Sequence, residues 1–199
     1  DECSIEAQYE KYFKAKDYTR AVALCLRTAT KGDFVAQNYL GYFYMTGHGI
    51  AKIDYQKSFH WFEKAANQRW AVAQYNLGLC YSNGYGVTQN KDKAVYWFTL
   101  AAKQGDANAQ YCLGYCYQHG EGVAKDYAKA VHWYLKAANQ GHAGAQSSLG
   151  MCYDNGWGVE EKDYAKALHW YTKAANQGYA TAQLHLSDCY FFRKGVDQV

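Results

Sequence analysis

The chain has 199 residues, with 21 Lys and Arg against 18 Asp and Glu, for a net charge of +3. That length suits one or two ordinary domains. Its basic residues are interleaved with acids, which argues against a nucleic-acid partner, and no stretch of ~18 apolar residues exists to span a membrane.

The absence of proline fits short-linked helices, and 21 tyrosines exceed what core stacking requires, which puts some on the surface. Residues 1–33 read as a first helix pair, with Lys16-Asp-Tyr-Thr-Arg-Ala-Val matching Lys125-Asp-Tyr-Ala-Lys-Ala-Val further on. From Phe34 a longer unit begins and returns. Ala71-Val-Ala-Gln-Tyr-Asn-Leu-Gly comes back as Ala107-Asn-Ala-Gln-Tyr-Cys-Leu-Gly and as Ala143-Gly-Ala-Gln-Ser-Ser-Leu-Gly, with a partial copy from Ala180. Self-similarity at this period marks stacked supersecondary units. The expected division is one repeat domain over 1–199: a helix pair at 1–33, units at 34–70, 71–106, 107–142 and 143–179, and a first helix alone at 180–199.

Within each unit, Ala109, Leu113 and Tyr117 recur four apart, with copies at Ala73, Leu77, Tyr81 and Ala145, Leu149, Tyr153. That spacing lays them along one face of a first helix. Gly41, Gly78, Gly114 and Gly150 each cost about 1 kcal/mol of helix propensity, so close approach of the partner helix is expected there. A double-glycine loop follows, as in Gly84-Tyr-Gly-Val. No strand precedes it and no Lys-Ser/Thr follows, so it does not read as a phosphate loop. The second helix opens on Asp54, Asn90, Asp126 or Asp163 as N-cap. It carries Trp61, Trp97, Trp133 and Trp170 as expected core, and ends before Gly105, Gly141 or Gly178, with Arg69 breaking the rule. Lys57, Lys64, Lys129, Lys136, Lys166 and Lys173 form a solvated stripe on it. About nine or ten helices are expected in all.

These residues carry a resemblance. The pattern Ala-x-Ala-Gln-x-x-Leu-Gly, then Gly-x-Gly-Val, then Lys-Ala-x-x-Trp-Tyr-x-Lys-Ala-Ala over residues 34–190 resembles the Sel-1-like repeat, a relative of the tetratricopeptide repeat. The resemblance implies an all-α, right-handed α/α superhelical solenoid acting as an adaptor or scaffold in protein complexes, with 1–33 as a tetratricopeptide-like cap. A cysteine-rich subgroup, some of whose members carry a β-lactamase label, has a disulfide in each repeat. Its cysteine positions here hold Ala138 and Gln146, or Ala175 and Gln183. No Ser-x-x-Lys exists either, so a serine β-lactamase lacks its nucleophile motif.

Cys80, Cys116, Cys152 and Cys189 follow the repeat and are expected as buried, unpaired packing residues. Helices about 8–10 Å apart exceed the ~7 Å Cα limit for a disulfide. Cys3 and Cys25 share the first helix pair, where a bridge is an open alternative. Cys112, Cys116 and His119 are spaced as three ligands on one face, but Cys116 belongs to the core pattern, so no metal and no cofactor is expected. His60, His132 and His169 are expected to point outward.

The non-repeating positions locate the candidate site. By analogy with tetratricopeptide repeats the first helices line the concave face. That places Asn38, Tyr42 and Met45; Tyr75, Leu79 and Asn83; Asn108, Tyr111, Tyr115 and His119; and Ser147, Met151, Asp154 and Asn155 toward a groove. The set is aromatic and amide-rich, suited to an extended peptide. Tyr85, Trp157 and Trp70, in loops and turns, are loop-rim candidates. The leading expectation is a non-enzymatic scaffold binding a protein or extended peptide. A cell-wall peptide or lactam hydrolase and a glycan or muropeptide binder are the alternatives. Leu184, Phe191 and Phe192 at the uncapped end would favour a dimer. The chain opens on Asp1, which reads as a processed or trimmed chain, and its composition does not choose a compartment.

Overall fold

The computed structural model describes residues 5–192. Among them it contains eleven α-helices and no strand, one or two helices more than the repeat suggests. They fall into two compact units divided between Leu100 and Ala101, within α6. The first unit holds α1 (Ile5–Lys14), α2 (Tyr18–Ala29), α3 (Phe34–Thr46), α4 (Tyr55–Ala66), α5 (Ala71–Asn83) and most of α6 (Lys91–Lys103). The second holds the end of α6, then α7 (Ala107–His119), α8 (Tyr127–Asn139), α9 (Ala143–Asn155), α10 (Tyr164–Asn176) and α11 (Ala180–Phe191). From α1 to α5, and again from α7 to α11, each helix packs on the next.

Local chemistry fixes where these helices start. Asp54, Asn90, Asp126 and Asp163 each accept the amide of the residue three on, at 2.9–3.0 Å. These are the expected N-caps, satisfying a backbone donor that the helix leaves open. Three first helices are capped too, by Asp33, Asp106 and His142, whereas Trp70 and Tyr179 offer no side-chain cap to α5 and α11. At the ends of second helices the backbone turns left-handed. Gly105, Gly141 and Gly178 have φ of 99°, 90° and 82°, and a Cβ on any of them would meet nothing within 4 Å. Conformation alone therefore selects glycine there. Arg69 takes the same turn at φ 66° with a side chain attached.

The repeated helix glycine has a different cause. A Cβ on Gly41, Gly78, Gly114 or Gly150 would lie 2.5–2.6 Å from the ring of Phe62, Phe98, Tyr134 or Tyr171 on the following helix. Each glycine is thus the floor of a seat for one aromatic ring, and those rings are at most 2% exposed. This corrects the expectation for the tryptophans. Trp61, Trp97 and Trp133, one residue earlier, are only half-buried, and of the four only Trp170 is buried. The deepest ring sits directly opposite the glycine, and a 100° rotation along the helix turns its neighbour toward the rim. Below the rings, Leu40, Leu77, Leu113 and Leu149 are at most 1% exposed.

The four repeat cysteines are buried as expected, at 0–6% exposure. Cys25 and Cys80 in the first unit, and Cys112 and Cys152 in the second, are thiols. Cys3 lies outside the described residues, and with it the alternative of a bridge to Cys25.

Candidate functional site

The buried polar residues organise the helix pairs. Gln37 and Gln74 in the first unit, and Gln110 and Gln146 in the second, are 3–4% exposed. Each donates through Nε2 to the carbonyl eight residues earlier, at the end of the preceding helix: Ala29, Ala66, Ala102 and Ala138, at 3.1–3.5 Å. A second glutamine, at the end of the same unit, closes the chain. Gln68 donates to Gln37 Oε1, Gln140 to Gln110 Oε1, and Gln177 to Gln146 Oε1, at 2.8–2.9 Å. Each of these helix C-terminal carbonyls also accepts the backbone amide three residues on, so the glutamine amide adds a second donor and ties the next helix to the end of the one before it. Sequence reading used the glutamines only as a pattern and missed this role. The signal was a polar residue repeated beside core alanines.

The second helices carry a lysine-on-ring array. Lys57 lies over Tyr44, Lys93 over Tyr81, Lys129 over Tyr117 and Lys166 over Tyr153, at 5.2–5.4 Å from the ring centroids. Lys64, Lys136 and Lys173 lie over Trp61, Trp133 and Trp170 at 4.8–5.6 Å. The stripe is therefore more than solvated charge, because each ammonium lies against an aromatic ring. His60, His132 and His169 are exposed, edge-on to the neighbouring tryptophans, as expected.

The candidate groove residues divide by unit. In the first, Asn38 is 7% exposed and its Oδ1 accepts from Asn76 Nδ2 at 2.9 Å, so it ties α3 to α5 rather than presenting an open amide. Tyr42 is half-buried against Phe13, Phe43 and His48. Tyr75 and Leu79 are half-buried, with the Tyr75 ring 6.1 Å from Phe98. Asn83 is exposed and donates to its own helix at Leu79 O. In the second unit, Tyr111 is half-buried, 5.9 Å from Tyr134 and stacked at 4.7 Å on His142. Burial raises its pKa. Tyr115, 41% exposed, lies 4.1 Å from the exposed His119. Met151 packs on the Tyr171 cluster, and Asn155 donates to Met151 O.

Two of the loop-rim candidates are clasps between successive repeats. Tyr85 stacks on Tyr55 at 5.0 Å and Trp157 on Tyr127 at 5.4 Å, each with 18° between planes. The glycine after each, Gly86 or Gly158, lies so close to the carbonyl of that same tyrosine that no Cβ fits. Trp70 packs 5.4 Å from Phe34. All three therefore have packing partners within the chain.

The Sel1 repeat model matches residues 35–69, 71–106, 107–142, 143–179 and 180–199. The chain belongs to the Sel1 repeat family. A Sel1 repeat protein from Oxalobacter formigenes is 36% identical and superposes with a TM-score of 0.89, over 98% of this chain and 77% of that one. A protective antigen of uropathogenic Escherichia coli strains, displaying an SLR fold, is 40% identical with a TM-score of 0.88, over 98% of this chain and 43% of that one. A component of an ERAD-associated E3 ubiquitin-protein ligase from Arabidopsis thaliana, HRD3B, is 38% identical over 79 residues, 40% of this chain but only 13% of that protein. The fold class is thus the all-α, α/α solenoid type of Sel1 helix pairs.

Within the Sel1 units, Cys112 is half-buried, Cys116 buried, and His119 exposed against Tyr115, so the three do not converge. Among the described residues no group of three or more His, Cys, Asp or Glu could hold a metal ion. No described helix is long and apolar enough to cross a membrane. At α11, Leu184, Tyr190, Phe191 and Phe192 are 58–82% exposed.

Proposed function

We propose that this Sel1-repeat chain is a non-catalytic interaction scaffold that holds an extended peptide or a partner protein against its first-helix face. The observation that carries the reading is the Tyr111–Tyr115–His119 row on α7. Tyr115 is 41% exposed, Tyr111 is braced by His142 at 4.7 Å, and no acidic residue stands in the helix. Rigid aromatic rings with polar tips give contact area at little conformational cost, and such residues dominate binding hot spots. The outward faces of α8 and α10 instead present lysines already lying over Trp133 and Trp170. The plant relative, a component of a ligase assembly, fits a scaffold role for the repeat. On the same reading, the apolar residues of α11 form a second contact surface, open to another copy of the chain or to another protein.

The test is affinity capture with the full chain and with Tyr115→Ala, read by mass spectrometry and followed by direct binding of the protein recovered. Loss of that protein on Tyr115→Ala, with helical content unchanged, supports the α7 face. Undiminished binding rejects it.

A further inference from the structure

We infer that His142 is a proton-sensitive latch that fastens the N-terminus of α9 to the Tyr111 face of α7. Three contacts meet at its ring. Nδ1 accepts the Ala145 amide at 3.1 Å, so the imidazole is the N-cap of α9. Its face stacks on Tyr111 with centroids 4.7 Å apart and 24° between planes. Its Cε1 lies over Gly144, where a Cβ would come within 3.1 Å. The corresponding caps of α3 and α7 are carboxylates, Asp33 and Asp106. Among the described residues, this unit alone caps its first helix with a group that can do so only while uncharged.

The cap needs an unprotonated Nδ1. A proton there would turn the acceptor into a donor facing the Ala145 N–H, and would place a positive charge at the positive end of the helix dipole. The groups facing the ring are few. Burial disfavours the charged form most strongly, while the residue's own backbone and, less so, the nearby Asp106 favour it, so the His142 pKa is lowered. Burial likewise raises the Asp106 pKa. Tyr111 faces the ring as a neutral phenol. On α8, the Lys136 ammonium lies over Trp133, and the first turn of α9 holds no acid.

The sign follows from these facts. A histidine with a depressed pKa in the folded chain stabilises it fully above the ordinary value of about 6.5. That contribution is lost as the pH falls below 6.5 toward the folded pKa. As the pH then passes through the folded pKa, the ring takes up its proton and leaves its seat over Gly144, the first turn of α9 frays, and Tyr111 loses its brace. The latch stands whether or not Tyr111 is a contact residue; its consequence for binding rests on the proposed function above.

The test needs no partner, so its failure and that of the scaffold reading are separable. Site-resolved NMR on the full chain follows the His142 ring, the Tyr111 ring and hydrogen exchange of the Ala145 amide between pH 7.5 and 5, with intrinsic exchange rates corrected. The expected result is a fall in Ala145 protection of about fivefold, the scale of one lost N-cap, on the same midpoint as the His142 ring and the Tyr111 shift. His142→Asn, an equally good cap without a proton to gain, is expected to be flat, and His119→Gln to retain the wild-type curve. Constant Ala145 protection while His142 titrates overturns the latch, as does an equal fall in His142→Asn. The coincidence of curves in the wild-type chain decides the matter if a variant fails to fold.

Discussion

Gly114→Ala sets two large effects against each other in one residue. Alanine is the better helix former by about 1 kcal/mol, so at an open position on α7 it would stabilise. Here its Cβ would lie 2.6 Å from Tyr134 Cδ1 and 2.7 Å from Cε1. The ring cannot recoil easily. It is fully buried, and its hydroxyl donates to Gln118 Oε1 at 2.7 Å. Overpacking of this kind costs about 1–3 kcal/mol. A ring pushed off Gln118 leaves a buried donor and acceptor unpaired, for about 1–3 kcal/mol more. The crowding outweighs the propensity, and a net loss of roughly 1–5 kcal/mol is expected. Chemical denaturation followed by circular dichroism measures it. In a Tyr134→Leu background the seat is empty, and the same alanine should cost nothing or stabilise. A Gly114→Ala chain more stable than wild type would refute the account of the repeated glycine.

Arg69→Gly should stabilise the chain by about 0.5–1 kcal/mol, because φ 66° suits glycine and strains arginine; an unchanged or lowered denaturation midpoint would contradict this. Gln146→Leu should destabilise by about 1–3 kcal/mol, the worth of two hydrogen bonds, since those to Ala138 O and from the Gln177 amide are both lost, and a neutral result in the same assay would reduce the glutamine chain to decoration. Burial pushes the thiols of Cys25, Cys80, Cys112 and Cys152 up to about 12, so at pH 8 a thiol reagent should label them only after unfolding; prompt native labelling of Cys80 or Cys152 would show that those helices open.

The repeat made the helix pairs, their N-caps and the seat glycines readable from sequence, because each is a local rule copied unit after unit. What the period could not rank was depth. Trp61 and Phe62 repeat equally well, and only the ring facing Gly41 lies in the seat. The same limit hid Gln37 and Gln74, whose partners are carbonyls that no side-chain pattern reports. It also hid His142, whose cap role takes the place of an aspartate and so looks like a departure from the pattern. Tyr85 and Trp157 looked like rim anchors because a loop between two glycines reads as exposed. Their stacking on Tyr55 and Tyr127 depends on the neighbouring repeat. Asn38 was legible as a non-repeating amide, but its pairing with Asn76 arises from helix stacking, not from local sequence.

The central claim is that partner affinity resides on the first-helix face around Tyr111 and Tyr115. Truncating a hot-spot aromatic typically costs ≥2 kcal/mol, about 30-fold in affinity. The direct measurement is calorimetric titration of the recovered partner into wild type, Tyr111→Ala/Tyr115→Ala and Lys129→Ala, each first checked for helical content. At least a 30-fold loss confined to the tyrosine pair is the expected result. Equal affinity in all three chains, or loss only with Lys129→Ala, would move the binding surface off α7 and contradict the account.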